Sequence, residues 1–334
     1  MNFLVTGGAG FLGQHLIKIL VSRYPESRIT ALDIKKNPYP HHDIDQLGVH
    51  AFYDADILCQ EKIESHFAQA DIVFHLAGFI SFWEKDRDRL YEVNVEAVRT
   101  VVGLSLKYKI KKLVHVGSVA GLGYKNDRHH PVGEDFQFLF ESVPHKPYMV
   151  SKKLGQDLVL QAAKSGGLPA VVVCPAQMWG AGDYFNSALL IKALKDRKII
   201  ANMPGGTYVA DVEDVARGLV AAFEKGRTGE IYILGGYNYR FSETNALVAA
   251  ALGVRPPGRS MPRSLHKPLF HLFRTLERIS KKPPALTSDS IDSGFMFRYF
   301  DSAKAGRELG WQVQKPFAQT VREQIAYLKK YDLL

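Results

Sequence analysis

Thr6-Gly7-Gly8-Ala9-Gly10-Phe11-Leu12-Gly13 is the stretch on which the reading of this chain turns. It follows a short apolar run, Asn2 to Thr6, and opens a segment with apolar residues at helical spacing: Phe11, Leu12, Leu16, Ile17 and Leu20. Gly7, Gly10 and Gly13 satisfy G-x-x-G-x-x-G, and Gly8, Gly10 and Gly13 satisfy G-x-G-x-x-G. An unusual turn, an anion close to the main chain, and tight packing of helix on strand each favour a residue without Cβ. The N–H groups and positive dipole end of a helix start then hold a phosphate. By itself such a stretch is also met as a plain glycine-rich turn. Asp33 decides between the two. It ends the next apolar run, Arg28 to Asp33, 20 residues after Gly13, where a carboxylate reaches the adenosine ribose. Together these features point to a bound dinucleotide. A carboxylate there accepts from a 2′-hydroxyl and repels a 2′-phosphate, which favours NAD(H); Lys35 and Lys36 soften the repulsion and leave NADP(H) open.

Outward from this turn, short β-branched runs alternate with helical segments. Val49 to Tyr53, Asp71 to Leu76, Lys112 to Val116 and Ala170 to Cys174 read as strands buried on both faces, and Arg87 to Tyr108 and Tyr148 to Lys164 as helices. This alternation predicts an α/β fold: a doubly wound parallel (Rossmann) sheet over 1–175, followed by a smaller, mostly helical substrate lobe over 176–334 partly interleaved with it. Helices are expected over Asn186 to Lys195, Asp211 to Glu224, Ser242 to Leu252, Leu265 to Ser280, Ser302 to Leu309 and Pro316 to Lys329. Short strands are expected near Thr207 to Ala210 and Glu230 to Leu234.

Composition narrows the function classes. The chain has 334 residues, 46% apolar and 23% charged, which is ordinary globular composition. Its two cysteines, Cys59 and Cys174, lack partners at metal or disulfide spacing, so no metal site is expected and a reducing, cytoplasmic setting fits. No signal peptide or membrane-spanning run is read. The net charge of +9 is scattered along the chain, and no basic cluster with interleaved aromatics appears in the first half, which argues against nucleic acid as a partner; the exception lies near Lys267 to Lys282.

Tyr148-Met-Val-Ser-Lys152 sets a phenol and an ammonium at i and i+4, on one helix face. A free tyrosine titrates near ~10, whereas proton exchange at neutral pH needs a group poised near ~7. A neighbouring cation stabilises the phenolate and supplies such a shift. Tyr-x-x-x-Lys also arises as a surface helix pair. The order of glycine turn, Ser118 after the fifth strand (HVGSVAG) and then Tyr148 lifts it above that.

These residues resemble the extended, epimerase/dehydratase-like branch of the short-chain dehydrogenase/reductase superfamily, over nearly the whole chain. TGGAGFLG is similar to the family's phosphate loop, Asp56-Ile57 to its adenine-contacting pair, His75-Leu76-Ala77-Gly78 to its fourth-strand motif and Asn94 to its helix asparagine. Ser118, Tyr148 and Lys152 match its catalytic triad; Pro175 to Gly180, Asp211 to Ala216 and Lys304 to Trp311 resemble its later signatures. The resemblance implies that Gly7, Gly10, Phe11, Leu12, Gly13, Asp33, Asp56, Ile57, Leu76, Ala77, Gly78, Asn94, Tyr148, Lys152 and Pro175 hold the cofactor. It implies further that Ser118 bonds the substrate oxygen, Tyr148 exchanges its proton, and Lys152 lowers the Tyr148 pKa and holds the nicotinamide ribose. A homodimer through the helices over 87–108 and 148–164 is the family expectation. Cys174 departs from the arginine many members carry and puts a substrate-side contact in question.

Three substrate classes compete. A sugar-nucleotide dehydratase needs acidic residues just after the active-site Ser or Thr, and Val119 and Ala120 stand there. An epimerase needs basic groups for a diphosphate, yet Gly205-Gly206-Thr207-Tyr208-Val209-Ala210 lacks the arginine that nucleotide-sugar members often place there. The aromatic loop Phe79-Ile80-Ser81-Phe82-Trp83 tilts the pocket towards an apolar small molecule, as in dihydroflavonol 4-reductase and 3β-hydroxysteroid dehydrogenase, which Phe79 to Val95 and Pro283 to Thr287 also resemble. A non-catalytic NAD(H)-sensing or RNA-binding member of the fold is a further alternative, disfavoured by the joint presence of Ser118, Tyr148 and Lys152. In Leu265 to Lys282, Leu265, Leu269, Leu272, Phe273, Leu276 and Ile279 form a stripe, with Lys267, His271, Arg274, Arg278 and Lys281 largely off it. The segment reads first as a helix capping the substrate pocket with its charges in water. The alternative is a peripheral contact with an anionic membrane.

Overall fold

The computed structural model describes residues 1–334. Its first half runs β1 (Asn2–Thr6), α1 (Phe11–Arg23), β2 (Arg28–Asp33), β3 (His50–Tyr53), α2 (Gln60–Phe67), β4 (Ile72–His75), α3 (Arg87–Tyr91), α4 (Ala97–Lys107), β5 (Lys112–Val116), α5 (Pro147–Ser165) and β6 (Ala170–Pro175). The β-branched runs form strands because both their faces are covered. Val171, Val172 and Val173 in β6 are each 0% exposed. The strands build an all-parallel seven-stranded sheet in the order β3-β2-β1-β4-β5-β6-β9. The order reverses direction between β1 and β4, and the crevice beyond their carboxyl ends is where such sheets bind ligands.

β9 (Ile231–Leu234) pairs with β6, so the seventh strand of the first sheet comes from beyond residue 175. α7 (Val212–Lys225) packs beside α1 and contributes Val215 and Leu219 to the same core. The expected division at 175 is therefore crossed by α7 and β9. The second lobe takes the remainder: β7 (Gln177–Trp179), α6 (Ser187–Lys195), β8 (Gly206–Asp211), β10 (Tyr237–Arg240), α8 (Phe241–Leu252), α9 (His266–Ile279), α10 (Ser288–Phe295), β11 (Phe297–Arg298), α11 (Ala303–Leu309) and α12 (Phe317–Lys330). α11 leaves the lobe to pack on β9 and α7. The lobe is mostly helical, as read, but a small sheet runs through it. β8 pairs with β7, β10 and β11 around a core that includes Trp179, Val209 and Phe317.

The helix expected over 87–108 is continuous in course but not in winding. Glu92–Glu96 widen into a π turn between α3 and α4, with Asn94 buried inside it. Such bulges turn a side chain away from the regular helix face. No helix is long and apolar enough to cross a membrane.

Candidate active site

Gly7 sits at φ +72°, and a Cβ there would lie 2.8 Å from the Ala77 nitrogen. A Cβ on Gly13 would lie 2.4 Å from the Gly7 carbonyl oxygen. These two glycines thus let the turn press against both the end of β4 and the start of α1. α1 begins at Gly10 with no side-chain cap and no acidic residue in its first turn. Its leading N–H groups are left for an anion to satisfy. Asp33, at the end of β2, accepts from the Ala9 nitrogen at 3.0 Å and the Ile34 nitrogen at 2.8 Å. Burial pushes its carboxyl above the ordinary value, against the pull of those N–H groups. Asp56 accepts from the Leu58 nitrogen at 3.0 Å, and Ile57 is buried beside it in the main core. Phe11 lies along the outer wall, 3.2 Å from where a Cβ on Gly182 would stand, while Leu12 turns into the core.

Leu76, Ala77 and Gly78 carry the chain from the glycine turn to the buried polar groups. A Cβ on Gly78 would be 3.2 Å from Lys152 Nζ and 3.3 Å from Asn94 Oδ1. Asn94 accepts from the Phe79 nitrogen at 2.9 Å and donates to the Phe79 carbonyl at 2.9 Å and to Ser151 Oγ at 3.1 Å. The π turn thereby clamps the loop after β4 to α5. Pro147 in the first turn of α5 suits a helix start, and from there the 3.6-residue repeat brings Tyr148 and Lys152 to one face. Both are almost wholly buried, 8% and 7% exposed. Lys152 Nζ reaches the Val116 carbonyl at 3.4 Å and meets no carboxylate, so burial brings its pKa down to about 8. Ser118 lies after β5; its nitrogen donates to Gln156 Oε1 at 3.0 Å and its Oγ accepts from the Ala120 nitrogen at 3.1 Å. Pro175 ends β6 opposite Leu234.

The expectation that Lys152 makes Tyr148 more acidic is not met in the protein by itself. Burial raises the phenol, and the opposing influences are the neighbouring Ser118 side chain and the charge of Arg298. The Lys152 ammonium is turned towards Val116, Gly78 and Asn94 instead. Cys174 is fully buried in β6, and burial pushes its thiol up to about 12. Its side chain is closed to solvent.

The loop after β4 forms the other wall. Ile80 and Phe82 are exposed, and Trp83 is buried with its indole N–H unpartnered. Sequence reading missed three residues. Gln156 orients the Ser118 backbone, and its position one turn after Lys152 was an available signal. Arg298, whose charge acts on Tyr148, holds a buried, unpartnered Nε; nothing local in the sequence marks it. Lys146, two residues before Tyr148, is fully buried between Asp289 (2.7 Å) and Asp292 (2.6 Å) of α10.

Residues 3–235 match the family described as NAD dependent epimerase/dehydratase. The chain belongs to that family. This epimerase/dehydratase-family enzyme is 28% identical over 316 residues to a putative dihydroflavonol 4-reductase of Synechocystis sp., covering 92% of the chain and 89% of the relative. It is 27% identical over 323 residues to the 4-hydroxy-2-methyl-3-oxo-4-farnesyl-3,4-dihydroquinoline-1-oxide ketoreductase of Stigmatella aurantiaca, covering 93% and 92%. Among solved structures it is similar to gox2253, with a TM-score of 0.84, 26% identity and 99% of each chain covered. The parallel sheet, the uncapped start of α1 and the Gly7 and Gly13 cradle fit the dinucleotide of this NAD-dependent family.

Proposed function

We propose that the protein interconverts a ketone and a secondary alcohol on an apolar or aromatic small molecule, with NAD(H) as cofactor. The observation that carries this reading is the wall beside the phenol: the Phe82 ring meets the Tyr148 ring with centroids 5.5 Å apart. Sugar hydroxyls and a diphosphate gain little from such a wall, whereas a flat apolar substrate buries against it.

In this reading the glycine turn and α1 hold the pyrophosphate, and Asp33 takes the adenosine ribose. Ile57, Leu76 and Asn94 line the course to Lys152, which holds the nicotinamide ribose. When bound, nicotinamide would supply or accept the hydride. Ser118 donates to the substrate oxygen, and Tyr148 exchanges a proton with that same oxygen. A phenol held neutral by burial is suited to giving its proton to a developing alkoxide. Arg298, with a free N–H near Tyr148, offers a donor to a polar substituent. NAD(H) is taken over NADP(H) because Asp33 already accepts two backbone N–H groups and is poorly placed to tolerate a phosphate. A cytoplasmic homodimer through α3, α4 and α5 completes the reading, and sedimentation showing only monomer contradicts that part of it.

One observation favours an epimerase as second reading. A cleft of about 580 Å³ between the 126–128 loop and the second lobe brings together Arg128, Arg240 and Arg263 with Asp127, Ser242 and Phe297. Three guanidinium groups suit a phosphate or diphosphate. The deciding experiment follows NADH and NADPH over aromatic ketones, steroids and UDP-sugars. Net cofactor oxidation with the ketones supports the proposal; sugar interconversion without net oxidation overturns it in favour of the epimerase.

A further inference from the structure

The amphipathic segment after residue 264 does not sit as its stripe suggested. If it capped the pocket with its apolar face, the leucines would be inside. Instead Leu265, Leu272, Leu276 and Ile279 are 41%, 53%, 43% and 74% exposed, while Glu277 is only 5% exposed. With 3.6 residues per turn, Leu265, Leu269, Leu272, Leu276 and Ile279 fall within about 80° of the circumference. One continuous apolar ridge therefore faces away from the body of the protein.

The orientation is fixed by polar anchors on the opposite side. Glu277 accepts from the Ser288 nitrogen at 3.1 Å and the Ser288 hydroxyl at 2.5 Å. His266 lies 2.8 Å from Asp292 Oδ1 and stacks on Phe295. Lys85 donates to the carbonyls of Arg278 at 3.0 Å and Ser280 at 2.8 Å. Turning the leucines inward would strip these buried groups of their partners, each at the cost of an unsatisfied polar atom.

We propose that α9 docks the protein onto an anionic lipid bilayer. Charge complementarity selects this occupant. Between Arg263 and Thr287 the only acidic residue is the buried Glu277, whereas Lys267, Arg278, Lys281 and Lys282 are exposed, and none of these four has a carboxylate partner. Lys281 and Lys282, just past the end of the ridge, reach lipid headgroups while the ridge enters the acyl boundary. A bare apolar partner protein would give no use for this excess of positive charge.

Docking there brings the bilayer close to the start of α5. α9 packs on α10, whose Asp289 and Asp292 hold Lys146 at the start of α5. Lys85, which binds the end of α9, follows the Phe79–Trp83 loop that touches Tyr148. A lipophilic substrate dissolved in the membrane then meets the apolar wall without crossing water. The docking itself does not require that substrate class, so its test is a binding measurement separate from turnover.

The test is flotation with vesicles of phosphatidylglycerol and phosphatidylcholine against phosphatidylcholine alone. Wild-type protein is expected to float with the anionic vesicles at low salt and to lose this binding at high salt. Leu272→Ser/Ile279→Ser is expected to weaken it at least about tenfold with an unchanged melting profile, since both residues are exposed. Lys281→Glu/Lys282→Glu is expected to remove the preference for anionic lipid. Binding that is absent in the wild type, or indifferent to both double variants, overturns the proposal. So does a dimer that dissociates on the Leu272→Ser/Ile279→Ser change, because a second copy then covers the ridge.

Discussion

Phe82 stands against Tyr148 at an interplanar angle of 75°, an edge-to-face contact in which the aromatic loop after β4 touches the one phenol carried by the catalytic helix. Phe82 is 40% exposed, so its free face is available to a ligand. Phe82→Ala is expected to raise KM for an apolar ketone about tenfold, matching loss of ~1.5 kcal/mol of apolar contact, with a smaller change in kcat. Steady-state kinetics on the best ketone checks this. An unchanged KM places the substrate elsewhere.

Asn94 makes three hydrogen bonds from inside the π turn, two to Phe79 and one to Ser151. Removing them leaves buried backbone groups of the Phe79 loop unpaired. Asn94→Ala is therefore expected to cost about 1–3 kcal/mol of stability, read by denaturant unfolding, and to lower kcat through displacement of Lys152.

Lys152 has a pKa of about 8 in the folded protein, well below the ~10.4 of an exposed lysine. Above about pH 8 the unfolded chain holds a proton that the folded chain has released, so stability rises with pH from there to about 10.4. Below that window the buried ammonium carries its full penalty. Lys152→Met is expected to remove the rise and to stabilise the cofactor-free protein at pH 7 by roughly 1–3 kcal/mol while abolishing turnover. Thermal melts across pH check both signs.

Asp33 is the group proposed to favour NAD(H) over NADP(H). Asp33→Ser, which removes the charge but keeps a short acceptor for the Ala9 N–H, is expected to raise the NADPH/NADH ratio of kcat/KM at least about tenfold. A ratio that does not move assigns the choice to other groups.

What the sequence disclosed and what it hid divide along a physical line. The glycine turn, Asp33, the parallel strands and the Tyr148–Lys152 spacing are local patterns, each within a few residues or at a fixed offset, and the fold repeats them in space. Arg298 is brought near Tyr148 by a two-residue strand in the other lobe, and Lys146 is paired across 143 residues with Asp289. No periodicity predicts such meetings. The π turn at Asn94 escaped for a different reason: its apolar spacing differs from that of an α-helix by one residue. The apolar stripe of α9 was visible, but not which way it faces, because Glu277 and Ser288 settle that through tertiary contacts.

The most direct measurement is on Tyr148→Phe, which keeps the ring against Phe82 and removes only the hydroxyl. With the best ketone found, NADH oxidation is expected to fall by at least about 100-fold while NADH binding, read by its fluorescence, stays as in the wild type. Turnover at the wild-type rate would contradict that expectation.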